Sequence, residues 1–156
     1  MTVVVTRESF GAALPELFPL MRRNWEKLEF DKTVGPMEPS YMGYLECEDK
    51  GVLKLFVARD GPAVVGYWLA FVLPSLQAGY RLRMLMDTFA VKDGYESKVP
   101  LPLMRAVEKF NKENGIDDSY AASRLRGAWA GRLFEAFGYE PFEVVYGKKY
   151  TEPQRA

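Results

Sequence analysis

A single carboxylate, Asp87, interrupts the apolar run Met84-Leu85-Met86-Asp87-Thr88-Phe89-Ala90-Val91. Alternation along a strand gives Asp87 the parity of Phe89 and Val91, which predicts that it is buried. A carboxylate among apolar neighbours needs a reason to be there. It can act as a general base, taking a proton from an ammonium directly or through water, or it can be a hydrogen-bonded structural group. Glu26 and Glu29, three apart, form either an acidic rim that attracts an amine or a solvated helix face. Tyr41, Tyr44, Tyr67 and Trp68 suit an acceptor pocket or a core. Downstream of Val91, Lys92 and Lys98 flank a polar loop that leads into a helix, and they either join the helix's backbone N–H groups in an anion site or are simple surface charge. Arg124 and Arg126 add charge that serves either an anionic partner or solvation.

Composition removes several other chemistries. There is no histidine, which excludes histidine-based triads and histidine-bearing zinc sites, and no metal is expected. Cys47 is the one cysteine, so no internal disulfide forms, and the residue reads as a small apolar group. The 21 basic and 21 acidic side chains cancel, so no whole-molecule field draws the chain to nucleic acid or a membrane. No apolar run reaches spanning length and the start lacks a signal-peptide pattern, which predicts a cytoplasmic protein.

The elements that must position these groups follow from periodicity. Thr2–Thr6 reads as a strand, and Ser9 caps a helix from Phe10 that Pro15 and Pro19 are expected to divide into a first turn and a main helix. A short helix follows Ser40. Leu53–Ala58 and Ala63–Val72 read as strands joined at Asp60-Gly61, and Arg83–Val91 completes an antiparallel meander. Pro100 opens a helix ending before Gly115, with Leu103, Val107 and Phe110 inward. Ser119–Ala122 is a short strand, and Ala128–Phe137 a helix with Trp129, Leu133 and Phe137 inward and Gly138 as its left-handed cap. Phe142–Tyr150 reads as a last strand before a polar tail. At 156 residues one core is expected, a single domain over 1–150 with a flexible tail over 151–156.

Two stretches resemble the GNAT superfamily of N-acetyltransferases, short phage-encoded members most of all. The family's fourth strand runs into a loop of the type Val-x-Pro-x-Tyr-Arg-Gly-x-Gly-x-Gly. Here that stretch reads Val91-Lys92-Asp93-Gly94-Tyr95-Glu96-Ser97-Lys98-Val99-Pro100-Leu101, matching at Val91 and Tyr95. Glu96 takes the arginine place, and Ser97, Val99 and Leu101 take the glycine places. The family's late helix, Asn-x-x-Ala-x-x-Phe-Tyr-Glu-Lys-Leu-Gly-Phe, is matched at Ala130, Glu135 and Gly138.

The resemblance implies an α/β fold, a mixed and mostly antiparallel sheet flanked by helices. It implies transfer of an acetyl group from acetyl-coenzyme A to a primary amine in a ternary complex. Phe89, Ala90 and Val91 would then pair with the cofactor's pantetheine arm between splayed strands. Lys92, Tyr95, Glu96, Ser97, Lys98, Val99 and Leu101 would surround its phosphates, and Asp87 would lie beside the amine, with Glu26 and Glu29 on the acceptor side. The acceptor is a small molecule, a protein lysine or a modified nucleobase. Many members protonate the leaving thiolate with a tyrosine at the position of Phe134, so water or another tyrosine, such as Tyr139 or Tyr146, would serve here. The other reading of the degenerate loop is a GNAT-like scaffold without catalysis, a phage structural or host-interaction protein.

Overall fold

The structure, a computed structural model, describes residues 2–28, 37–123 and 128–143. Their order is β1 (Val3–Glu8), α1 (Phe10–Leu28), α2 (Tyr41–Asp49), β2 (Leu53–Asp60), β3 (Ala63–Pro74), β4 (Leu82–Val91), α3 (Pro100–Glu113), β5 (Asp118–Tyr120) and α4 (Ala128–Ala136). The sheet runs in sequence order from β1 to β5, antiparallel except for the parallel β4–β5 pair. It is the expected α/β architecture with a mixed, mostly antiparallel sheet. The last strand expected from Phe142 falls almost wholly outside the described residues, as does the tail. Among the described residues no helix is long and apolar enough to cross a membrane.

Both faces of the sheet are covered, which is why β2 and β3 read as apolar runs. Phe56, Ala58, Trp68, Ala70, Met84 and Phe89 pack under α3 and α4, while Leu55, Val57, Tyr67, Leu69 and Ala90 pack under α1. α1 runs unbroken through Pro15 and Pro19, contrary to the division expected at those prolines. Phe10, Ala13, Leu17, Leu20 and Met21 along one side are buried, at about 1.5–3 kcal/mol for each large side chain, which outweighs about 3 kcal/mol per interior proline. Its first turn is capped from a distance: Glu48 on α2 accepts hydrogen bonds from the N–H groups of Phe10 and Gly11 and from Ser9 Oγ.

The β2–β3 connection is shifted by one residue from expectation. Asp60 pairs with Ala63, so it belongs to the strand, and Gly61 (φ 57°) with Pro62 makes the turn. In α4, Leu133 and Phe137 pack against the core as expected, but the buried ring differs. Phe134 is buried against Trp68 and Phe89, whereas Trp129 is 43% exposed and touches the core through Phe89 alone among the described rings. Gly138 has φ 83°, the left-handed cap expected there.

Candidate functional site

β4 carries the site because its two neighbours treat it differently. β3 pairs with it throughout, but β5 pairs only with Arg83, Met84 and Leu85. From Met86 onward the β5 side of β4 carries no strand among the described residues. The N–H of Lys92 donates to Val65 O at 2.9 Å, so its backbone faces β3. Alternation then turns the N–H and C=O of Phe89 and Val91 to the open side, and those of Ala90 toward β3. Of the three residues expected to pair with an extended ligand, Phe89 and Val91 turn their backbone groups away from β3 and Ala90 does not.

A β-bulge sits in the middle of β4. Leu69 pairs with Thr88 and Ala70 with Met86, leaving Asp87 as the extra residue. The inserted residue reverses the parity predicted from the sequence. Asp87 lies with Thr88 on the α1–α2 side, opposite Phe89 and Val91, and it is exposed rather than buried. Its Oδ2 accepts a 2.7 Å hydrogen bond from Tyr44 on α2. Beside it, Thr88 Oγ1 lies 3.1 Å from the hydroxyl of Tyr67 and accepts from Asn24 Nδ2 on α1 at 3.3 Å. Burial pushes the Tyr67 phenol up to about 12. Burial first, then the hydrogen bond and charge of Asp87, raise Tyr44 further.

The aromatic group expected to form a pocket is split by the sheet. Tyr41, Tyr44 and Tyr67 belong to the α1–α2 side, where Tyr41 meets Phe18 edge-on, while Trp68 is sealed in the opposite core. Glu26 is exposed and pairs with Arg22 at 3.1 Å, so its carboxylate is already engaged on its own helix. Glu29, Arg124, Arg126 and Tyr146 lie outside the described residues.

The loop after Val91 is built around Tyr95. Its N–H donates to Lys92 O across a turn in which Gly94 takes φ 84°. Its C=O accepts from Lys98 and Val99, and its hydroxyl donates to Asp60 Oδ2 at 2.8 Å, which raises the phenol pKa. Lys98 and Val99 therefore have no free N–H for a ligand, and Val99 is fully buried. Pro100 and Pro102 have none by nature. Gly94, Glu96, Ser97 and Leu101 keep N–H groups without an acceptor among the described residues. Lys92 and Lys98 are exposed beside them, Lys98 Nζ lying 5.8 Å from the centre of the Tyr95 ring. Asp93 ties the loop to α1 through ion pairs with Arg23 and Lys27, contacts with no sequence signal.

On α4, Phe134 packs on Trp68 and Phe89 and supplies no proton. The Tyr139 hydroxyl donates to Glu108 Oε1 at 3.3 Å and lies 2.9 Å from Ser119 Oγ, and burial pushes its phenol up to about 12.

No family model and no curated protein matches the sequence. Solved structures do match in shape. An aminoglycoside acetyltransferase from an uncultured soil metagenomic sample, in complex with trehalose, superposes with a TM-score of 0.74 at 17% identity, over 96% of this chain and 95% of that one. A ribosomal-protein-alanine N-acetyltransferase from Brucella melitensis biovar Abortus 2308 gives 0.74 at 13% identity, over 96% and 100%. The enzyme AAC(6')-Iy, in complex with the bisubstrate analogue CoA-S-monomethyl-acetylneamine, gives 0.71 at 14%, over 97% and 100%.

Proposed function

We propose, from a fold that N-acetyltransferases share over nearly the whole chain, that this protein transfers an acetyl group from acetyl-coenzyme A to a primary amine. The observation that carries the reading is the edge of β4 that has no strand partner after Leu85 among the described residues, beside a loop with unpaired N–H groups. The residues present fit the cofactor. The open backbone of Phe89 and Val91 suits the amides of a pantetheine arm. The N–H groups of Gly94, Glu96, Ser97 and Leu101 with the cations of Lys92 and Lys98 suit its phosphates.

Bound there, acetyl-coenzyme A would supply an activated acyl group: the amine nitrogen bonds to the thioester carbon, the C–S bond breaks, and the proton shed by the new amide nitrogen passes through water to the sulfur. Asp87 receives the proton that the acceptor ammonium must lose first, directly or through one water. Its exposure on the α1–α2 side leaves it accessible to an amine arriving from outside. Phe134 contributes packing rather than a proton, since it replaces a hydroxyl with a ring edge. Glu26, paired to Arg22, contributes to the acceptor side only if an incoming amine displaces that partner.

Calorimetric titration with acetyl-coenzyme A, followed by thiol release with a panel of amines, tests the reading. The panel takes an aminoglycoside and an alanine-terminated peptide from the structural neighbours, plus a lysine peptide and an aminated nucleobase. Micromolar binding with thiol release in the presence of at least one amine is expected. No heat at millimolar cofactor would leave a scaffold without the reaction.

A further inference from the structure

The bulge at Asp87 leaves its carboxylate projecting from the sheet, and one side chain holds it. Tyr44 Oη–H reaches Asp87 Oδ2 at 2.7 Å across the gap between α2 and β4. The Tyr44 ring cannot swing freely, because it packs on Phe10 at 5.0 Å and lies parallel to Phe71 at 6.3 Å. Ser40 fixes α2 behind it, its side chain accepting from Gly43 N as the N-cap. Among the described residues Asp87 Oδ1 has no hydrogen-bond partner. Tyr44 thus engages one oxygen and leaves the other for an incoming group.

The titratable groups around the pair come from three elements. Tyr44 and Cys47 belong to α2, Tyr67 to β3, and Asp87 to β4, while Asn24 of α1 reaches the neighbouring Thr88 without charge. Tyr44 is held above the ordinary phenol range, so it remains a proton donor at neutral pH. A tyrosine in this place is not needed to fill space, since phenylalanine would pack on Phe10 and Phe71 equally well. The hydroxyl is therefore the part that calls for a role.

We propose that Tyr44 is a positioning residue for proton removal from the acceptor, fixing the Asp87 carboxylate so that Oδ1 faces the amine; this rests on the acetyl-transfer reading. A mobile exposed carboxylate spends little time in the productive geometry, and one charge-assisted hydrogen bond selects that rotamer.

The test is a double-mutant cycle of Tyr44→Phe and Asp87→Asn, measured at saturating acetyl-coenzyme A. Tyr44→Phe should lower kcat about tenfold, with the amine KM within about twofold. In the Asp87→Asn background the same substitution should change nothing further. Equal losses in both backgrounds, or a raised KM with unchanged kcat, would overturn the proposal. A wild type that binds no acetyl-coenzyme A fails the underlying reading and this proposal with it. A wild type that transfers acetyl while Tyr44→Phe is silent fails this proposal alone.

Discussion

Gly66 is where one methyl group would show whether β3 and the loop after Val91 are mechanically joined. A Cβ built there lies 2.4 Å from Val99 Cγ1, 3.1 Å from the carbonyl oxygen of Ala90 and 3.4 Å from Leu103 Cδ1. Ordinary carbon contacts begin at about 3.5 Å, so Val99 must retreat by about 1 Å. It has little room to do so, being fully buried, β-branched and held by its N–H on Tyr95 O. The start of α3 must move instead. Overpacking of this kind costs about 1–3 kcal/mol, offset by about 0.4–1 kcal/mol from the lower chain entropy of alanine in the unfolded state. Gly66→Ala should therefore lose about 1–2 kcal/mol in urea denaturation, roughly 2–8 °C in Tm for a chain of this size. Acetyl-coenzyme A affinity should fall with it, because the displaced residue starts the helix beside Leu101. Val99→Ala removes the methyls in the way, so the double mutant should be about 1–2 kcal/mol more stable than the sum of the single losses. Strict additivity, or an unchanged midpoint for Gly66→Ala, would refute the argument.

Other consequences are simpler to state. The phenols of Tyr67 and Tyr139 are pushed up to about 12, and an unfolded chain titrates them near 10. The unfolded state thus loses these protons first, and stability present below pH 10 should decline as pH rises toward 12; the buried Tyr67 alone supplies up to about 3 kcal/mol of that loss. A flat urea midpoint from pH 9 to 11 would contradict this. Glu48→Ala strips the remote cap from α1 and should cost about 1–2 kcal/mol by urea denaturation without altering the far-UV helix signal under native conditions. Lys98→Glu should weaken acetyl-coenzyme A binding in calorimetry while the urea midpoint stays within about 0.5 kcal/mol, since Lys98 is exposed; equal affinity would place Lys98 outside the phosphate site.

Much of this arrangement was legible because local rules and the fold agree. Pro100 begins α3 as its missing N–H predicts, Ser40 caps α2, and the apolar runs of β2 and β3 are buried on both faces. Two of the misreadings share a cause, which is that a small offset changes a face. The bulge at Asp87 carries no glycine to announce it, so strict alternation put the carboxylate in the wrong layer. A nine-residue helix such as α4 defines its inward side from two turns only: Leu133 and Phe137 pack inward as periodicity predicts, but Phe134 rather than Trp129 is the buried ring. Pro15 and Pro19 are local signals overruled by burial along the whole of α1. The Glu48 cap and the Asp93 ion pairs join residues tens of positions apart, for which composition leaves no trace.

If the proposed transfer reaction holds, the loop's departures from the glycine-rich pattern have a common physical meaning. Glycines allow close approach but leave a loop that must be ordered when a ligand arrives. Here Tyr95 is fastened to Asp60, Asp93 to Arg23 and Lys27, Val99 is packed on Gly66, and two prolines stiffen the first turn of α3. These anchors consume or remove the N–H groups of Tyr95, Lys98, Val99, Pro100 and Pro102, but they hold those of Gly94, Glu96, Ser97 and Leu101 in place before binding. Fewer donors lower the attraction for phosphate, and a loop already ordered lowers the entropy lost on binding. Affinity depends on the difference between the two. A substitution that loosens an anchor, such as Tyr95→Phe, therefore bears on cofactor binding through order rather than contact, although the lost hydroxyl faces Asp60 and not a phosphate.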